Sequence, residues 1–319
     1  MTPKSSAQLQ RPIVHGHPVV RPRHVSPQSG FPPSNVRNIH AGAIVPKVSL
    51  RGISLSYKTT GGKRLLALDN IDMEVRAGEF LCIVGPSGCG KSTLVHLIAG
   101  LHSPTSGQVL VDHKPVSEPG TDRMLIFQEL GLFPWLTVGQ NVEFGMKMKG
   151  VPKAERGEKT QYYLRLVHLS QFENSYTHQL SGGMRQRVAL ARALATEPDV
   201  LLMDEPFAAL DAQTRDLLHD ELERIWAETG RTIIFITHNV REAIRLGDRV
   251  ALMTFRPGRV KREYAIDLPR PRQLEDFAVA STAREILNDL REEIDKSLEA
   301  QYSEAPVRGR LGSNEEARS

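Results

Sequence analysis

At 319 residues, with 40% hydrophobic and 24% charged side chains, the chain can bury the core of one large α/β domain or two small ones. It has no apolar run of bilayer length and no leader-like hydrophobic stretch near its start, so any work at a membrane would pass through a partner. The formal net charge of +4 comes from residues 1–47, which carry six Lys and Arg and no acid, so the remainder is slightly acidic.

In chain order, residues 1–47 come first: proline-rich, with scattered His and no helical or strand periodicity. This composition predicts a disordered, solvated extension. Its prolines would break the amphipathic helix of a transit peptide, and its sparse charges lack the interleaved aromatics of a nucleic-acid arm. From Val48 the chain turns periodic. VSLRGISLSY alternates as a strand, and LALDNIDMEV and EFLCIVG read as two more, the last buried on both faces. The first strands look like an antiparallel edge. RMLIF, VLLMD and TIIFIT are further buried strands, with helical patterns after Gly90, after Gly183 and over 212–229. In the last of these Leu218, Leu222 and Ile225 line one face, Asp211 can cap the start and Gly230 can end it. This alternation predicts an α/β fold with a mainly parallel sheet covered on both sides. The two cysteines, Cys82 and Cys89, do not form a disulfide framework and fit a reducing, intracellular setting.

The chemistry begins at Gly85-Pro86-Ser87-Gly88-Cys89-Gly90-Lys91-Ser92, a G-x-x-x-x-G-K-[ST] loop lying between a buried strand and a helix. Its glycines let successive N–H groups face a β-phosphate. Lys91 is placed to bridge the β- and γ-phosphates, and the Ser92 hydroxyl to ligate Mg²⁺. Asp204, at the end of VLLMD, is placed to hold the metal's water shell, and Glu205 to align and deprotonate a water. Gln128 and His238 each directly follow a buried strand on the same sheet edge. Gln128 can touch Mg²⁺ or the attacking water, and His238 can donate to the γ-phosphate. Ser181-Gly182-Gly183 opens another helix and reads as a second phosphate site, one that lacks a lysine.

GPSGCGKST, Gln128, LSGGMRQR, VLLMDEP, AALD (208–211) and His238 resemble, in order and spacing, the ATP-binding subunit of ABC transporters. The resemblance covers roughly 48–269 and implies a P-loop NTPase core with an antiparallel β subdomain and an inserted helical subdomain at about 132–183. It implies ATP hydrolysis with Mg²⁺, with Thr93 completing the phosphate loop and Tyr57 stacking on adenine. It further implies a head-to-tail dimer in which Ser181, Gly182, Gly183 and Asp211 serve the partner's nucleotide, whose own Lys91 supplies the missing cation. Ala208 departs from the serine often found there. LFPWLTVGQNV and DLPRPR (267–272) resemble the nitrate, sulfonate and taurine importers. A transmembrane permease, an indirectly associated extracytoplasmic solute-binding protein and a place on the cytoplasmic face of the inner membrane would follow. Leu132, Phe133, Pro134, Trp135 and Leu136 would then meet the permease. After Pro269 the reading leaves one helix, around 277–298, and a polar tail. The alternatives are an ABC ATPase for another substrate and a soluble non-transport ABC ATPase.

Overall fold

The computed structural model describes residues 45–58, 62–273 and 275–304. The extension expected over 1–47 lies outside these except for its last three residues, as does the tail beyond 304. Along the chain, β1 (Pro46–Lys58), β2 (Arg64–Arg76) and β3 (Phe80–Val84) lead into α1 (Lys91–Ala99). Next come β4 (Ser106–Val111), β5 (Lys114–Pro115) and β6 (Arg123–Ile126). Helices α2 (Val138–Met148), α3 (Lys153–Leu166) and α4 (Gly182–Ala195) precede β7 (Val200–Asp204). After α5 (Ala212–Thr229) follow β8 (Thr232–Ile236), α6 (Val240–Leu246), β9 (Arg249–Met253), β10 (Val260–Ala265) and α7 (Phe277–Glu304).

The strands form two sheets. A six-stranded sheet runs β10-β9-β3-β8-β7-β6, with only β10 antiparallel to its neighbour, and a four-stranded antiparallel sheet runs β2-β1-β4-β5. The antiparallel strands are therefore a separate sheet rather than an edge of the parallel one. Although only a tight turn separates β2 from β3, the two do not pair. All five residues of β3 are buried, and an entirely apolar strand is best covered at the middle of the parallel sheet.

Alternation along β3 divides the core. Phe80, Cys82 and Val84 share a cluster with residues of α4, α5 and α6, whereas Leu81 and Ile83 share one with α1 and the antiparallel sheet. Each large side chain fully withdrawn from water here contributes roughly 1.5–3 kcal/mol. The helix ends follow the sequence signals. The Asp211 carboxylate accepts from Thr214 N–H at 2.9 Å, and Gly230 closes α5 in the left-handed conformation. Helix α7 buries Val279, Ala283, Ile286 and Leu290, a stripe at helical spacing. The DLPRPR segment has a structural role of its own. Arg272 is buried and donates to the carbonyls of Ile244, Gly247, Ile266 and Leu268, tying α6 to the segment after β10. Burial without a carboxylate on this guanidinium lowers its pKa to about 10, with Arg270 adding to the effect.

Candidate nucleotide site

Because β3, β6, β7 and β8 are parallel, their carboxyl ends share one edge of the sheet, and the residues read as functional gather there. The phosphate loop leaves β3 at Gly85 and enters α1 at Gly90, whose φ of 101° is one that glycine adopts freely. Lys91 is buried, and its Nζ donates to the carbonyls of Gly85 at 2.9 Å and Pro86 at 3.0 Å. The ammonium is thus held by its own loop, and among the described residues no carboxylate forms a direct ion pair with it, although Asp204 lies close enough to feel its charge. Burial pushes the Cys89 thiol up, opposed by Lys91, which leaves that side chain a packed, protonated element of the loop.

Beside the loop, the Ser92 hydroxyl donates to the Asp204 carboxylate. Burial pushes the Asp204 carboxyl above its ordinary range, with the Ser92 hydroxyl and His96 opposing and Glu205 reinforcing the shift. A carboxylate made costly by burial gains from a cation. Among the described residues no three His, Cys, Asp or Glu side chains gather into a metal cage. One carboxylate and one hydroxyl instead fit a Mg²⁺ ion that shares its shell with phosphate oxygens and water.

Glu205 directly follows β7 with φ of 43°, a left-handed backbone unusual for a side chain of this size. Its N–H donates to Ile236 O at 3.1 Å, which fixes this turn against the end of β8. The Glu205 carboxylate and His238 Nδ1 stand 3.1 Å apart, with the imidazole largely exposed. Flanking His238, the Thr237 hydroxyl accepts from Asn239 N–H at 2.9 Å and donates to the buried Glu242 carboxylate, which also meets His219 Nε2 at 2.5 Å. The Glu242–His219 support was not apparent in the sequence, because its members are separated by a strand and a loop.

Tyr57, at the exposed end of β1, donates through its hydroxyl to Thr93 Oγ1 at 3.4 Å, which places the ring near the first turn of α1. Gln128 is exposed and makes no hydrogen bond among the described residues, so its side chain does not join Ser92, Asp204 or Glu205 here. Ser181 caps α4, its Oγ accepting from Met184 N–H at 3.3 Å. Gly182 and Gly183 form the first turn of that helix, and Gly183 faces α5 so closely that a Cβ would lie 2.5 Å from Thr214 Cγ2. No hydrogen bond joins Ser181, Gly182, Gly183 or Asp211 to the phosphate loop of the same chain among the described residues. The Thr214 N–H and hydroxyl hold the exposed Asp211 below the usual carboxylate range.

Beyond Gln128 the apolar loop is pinned from inside. Asn141 is fully buried, accepts from Phe133 N–H at 2.9 Å and donates to the carbonyls of Phe133, Leu136 and Thr137. Arg192 donates to the carbonyls of Leu130 and Gly131 and lies over the Phe133 ring. Trp135 remains 70% exposed on this rigid support.

A family profile described as ABC transporter matches residues 68–208. The nitrate import ATP-binding protein of Synechocystis is 53% identical over 65% of this chain and 79% of its own length. The taurine import ATP-binding protein of Roseobacter denitrificans is 42% identical over 75% of this chain and 87% of its own. Among solved structures, the dimeric ATP-binding cassette MJ0796, in a post-hydrolysis state with ADP and Pi, superposes with a TM-score of 0.62 at 34% identity, covering 70% of this chain and all of that one. With the phosphate loop, the Asp204–Glu205 strand end and His238 on one sheet edge, and with these relatives, the chain belongs to the ABC transporter ATP-binding proteins.

Proposed function

We propose that the chain is the ATP-hydrolysing subunit of an ABC importer for a small solute of the nitrate, sulfonate or taurine kind. The observation that carries the catalytic part is the Glu205–His238 pair, 3.1 Å apart beside the phosphate loop. Lys91 exchanges its two loop carbonyls for the β- and γ-phosphate oxygens, while the loop N–H groups cradle the β-phosphate. Ser92, Asp204 and Gln128 would hold Mg²⁺, which supplies charge neutralisation to the phosphates. Glu205 accepts a proton from the water that attacks the γ-phosphorus, and His238, freed from the carboxylate, donates to a γ-phosphate oxygen. Tyr57 stacks on the adenine. Ser181, with the Gly182 and Gly183 N–H groups, closes over the nucleotide of a second copy, and Asp211 crosses that interface.

The importer part is supported by the two named relatives and by the exposed Trp135 on its buried Asn141 clamp. That apolar loop, next to Gln128, suits a helix from a transmembrane permease. Among the described residues no helix is long and apolar enough to cross a membrane. The subunit would sit on the cytoplasmic face of the membrane through that permease, with the extracytoplasmic solute-binding protein reached only indirectly. The test is co-purification with the permease made alongside it, with ATP turnover measured in vesicles. Turnover that rises with the solute and its binding protein supports the reading. Normal ATPase activity with no permease partner would instead place the chain among soluble ATPases.

A further inference from the structure

The loop between β9 and β10, residues 254–259, belongs to none of the motifs above, yet it presses on the phosphate loop. Arg256 Nε donates to Gly88 O at 3.0 Å, and a Cβ built on Gly258 would stand 2.1 Å from the Cys89 carbonyl oxygen. Arg256 is exposed, and among the described residues it meets no carboxylate and its terminal nitrogens have no acceptor. An uncompensated guanidinium is therefore braced against a loop shaped for an anion.

The brace is stiff. Thr254 Oγ1 donates to Pro257 O and accepts from Arg259 N–H, both at 2.9 Å, which staples the loop across its base. Gly258 N–H donates to Ala67 O at 2.9 Å and its carbonyl accepts from Asp69 N–H at 3.0 Å, tying the loop to β2. From the other side comes Glu293 of α7, which is 1% exposed. Its Oε2 accepts from Phe255 N–H at 2.9 Å, while Oε1 meets Lys296 at 2.7 Å and Lys261 at 3.0 Å. Phe255 immediately precedes Arg256, so a buried carboxylate of the last helix fixes the peptide that presents the guanidinium.

We infer that Arg256 is a further nucleotide-site residue, bracing the phosphate loop at Gly88 and offering its free nitrogens to the polyphosphate. In the same inference Glu293 is its positioning residue, so that α7 sets the affinity for ATP. This rests on the reading of the phosphate loop as the ATP site. The effect is on binding rather than on the chemical step, because neither residue lies near Glu205 in the hydrogen-bond network.

ATP affinity by direct titration, and steady-state turnover, are measured on the full chain and its variants, with thermal melting as the control for folding. Arg256→Ala should weaken ATP binding and raise KM about ten-fold, the range for one lost charge-assisted bond, with kcat changed less than about two-fold and melting unmoved. Arg256→Lys, which keeps a cationic donor, should recover most of the affinity. Glu293→Met fills the carboxylate's space without an acceptor, and neither lysine is stranded, because Lys261 also holds Glu292 and Lys296 is exposed. It should raise KM similarly and add nothing further in the Arg256→Ala background, whereas Glu293→Gln keeps an acceptor for Phe255 N–H and should stay near wild type. Equal ATP affinity in the wild type and Arg256→Ala overturns the inference and leaves the ATPase reading standing. Additive losses in the double variant overturn the role of Glu293. A wild-type chain that binds no ATP overturns the functional reading and the inference with it.

Discussion

Glu205 occupies a backbone conformation that costs of the order of 1–3 kcal/mol for a residue with a side chain, and it is held there by its N–H bond to Ile236 O. The turn at the end of β7 sets the Glu205 carboxylate against His238, while Asp204 beside it meets Ser92, and on the proposed reading the first activates water and the second holds the metal. Replacement of Glu205 by Gln preserves shape and removes the base. ATP binding should persist while phosphate release falls roughly 10²–10⁴-fold. Lys91→Ala should instead weaken binding itself, because its ammonium is the cation buried in the loop. Titration and phosphate release on both variants separate the two roles, and near-normal turnover in Glu205→Gln would remove Glu205 as the base. The positions of Glu205 and His238 were legible in the sequence because each lies at the end of a run of buried apolar residues, and that of Lys91 because the glycine loop before it has a fixed spacing. Arg256 was not legible. It touches Gly88 from 168 positions away, and a guanidinium on a backbone carbonyl leaves no local pattern.

Among the elements, apolar runs such as VLLMD and TIIFI and the capped helix α5 matched their reading closely. Less of the edges was legible. Strand β4 is half exposed and β10 carries mostly polar residues, so neither stands out from loop composition. That β3 deserts its hairpin neighbour is a matter of total burial, which only the assembled sheets decide. Two predictions belong at this scale. Asn141→Ala removes the internal clamp of the Phe133–Thr137 loop and leaves buried backbone groups unpaired, so urea unfolding should show a loss of about 1–3 kcal/mol. Burial opposes ionisation of Glu293, but Lys296, Phe255 N–H and Lys261 outweigh it and hold the carboxyl below the usual glutamate range. Its folded pKa is depressed, so its contribution is present above the ordinary glutamate value and is lost as pH falls through the depressed one. Melting temperature should drop across that acid window in the wild type and drop less steeply in Glu293→Gln. Parallel pH profiles for the two would contradict the assignment.

At the scale of the whole molecule, the proposed reading divides each nucleotide site between the Lys91 loop of one copy and the Ser181 helix end of another. The Lys91 loop and the Ser181 helix end have no hydrogen bond between them among the described residues. Ser181 is an exposed cap whose nearest cation in sequence, Arg185, is turned to the Leu180 carbonyl, and on the proposed reading a second copy supplies the nucleotide that it meets. The relevant solved cassette is dimeric and holds ADP and Pi. The most direct test of this claim is nucleotide stoichiometry in a mixed dimer of one Lys91→Ala subunit and one Ser181→Arg subunit. If the two halves meet across the interface, both defects fall in one composite site and the other site is intact, so one ATP should be bound and trapped per mixed dimer. If Ser181 serves its own chain, each subunit spoils the site it builds, and a mixed dimer with no intact site would contradict the account.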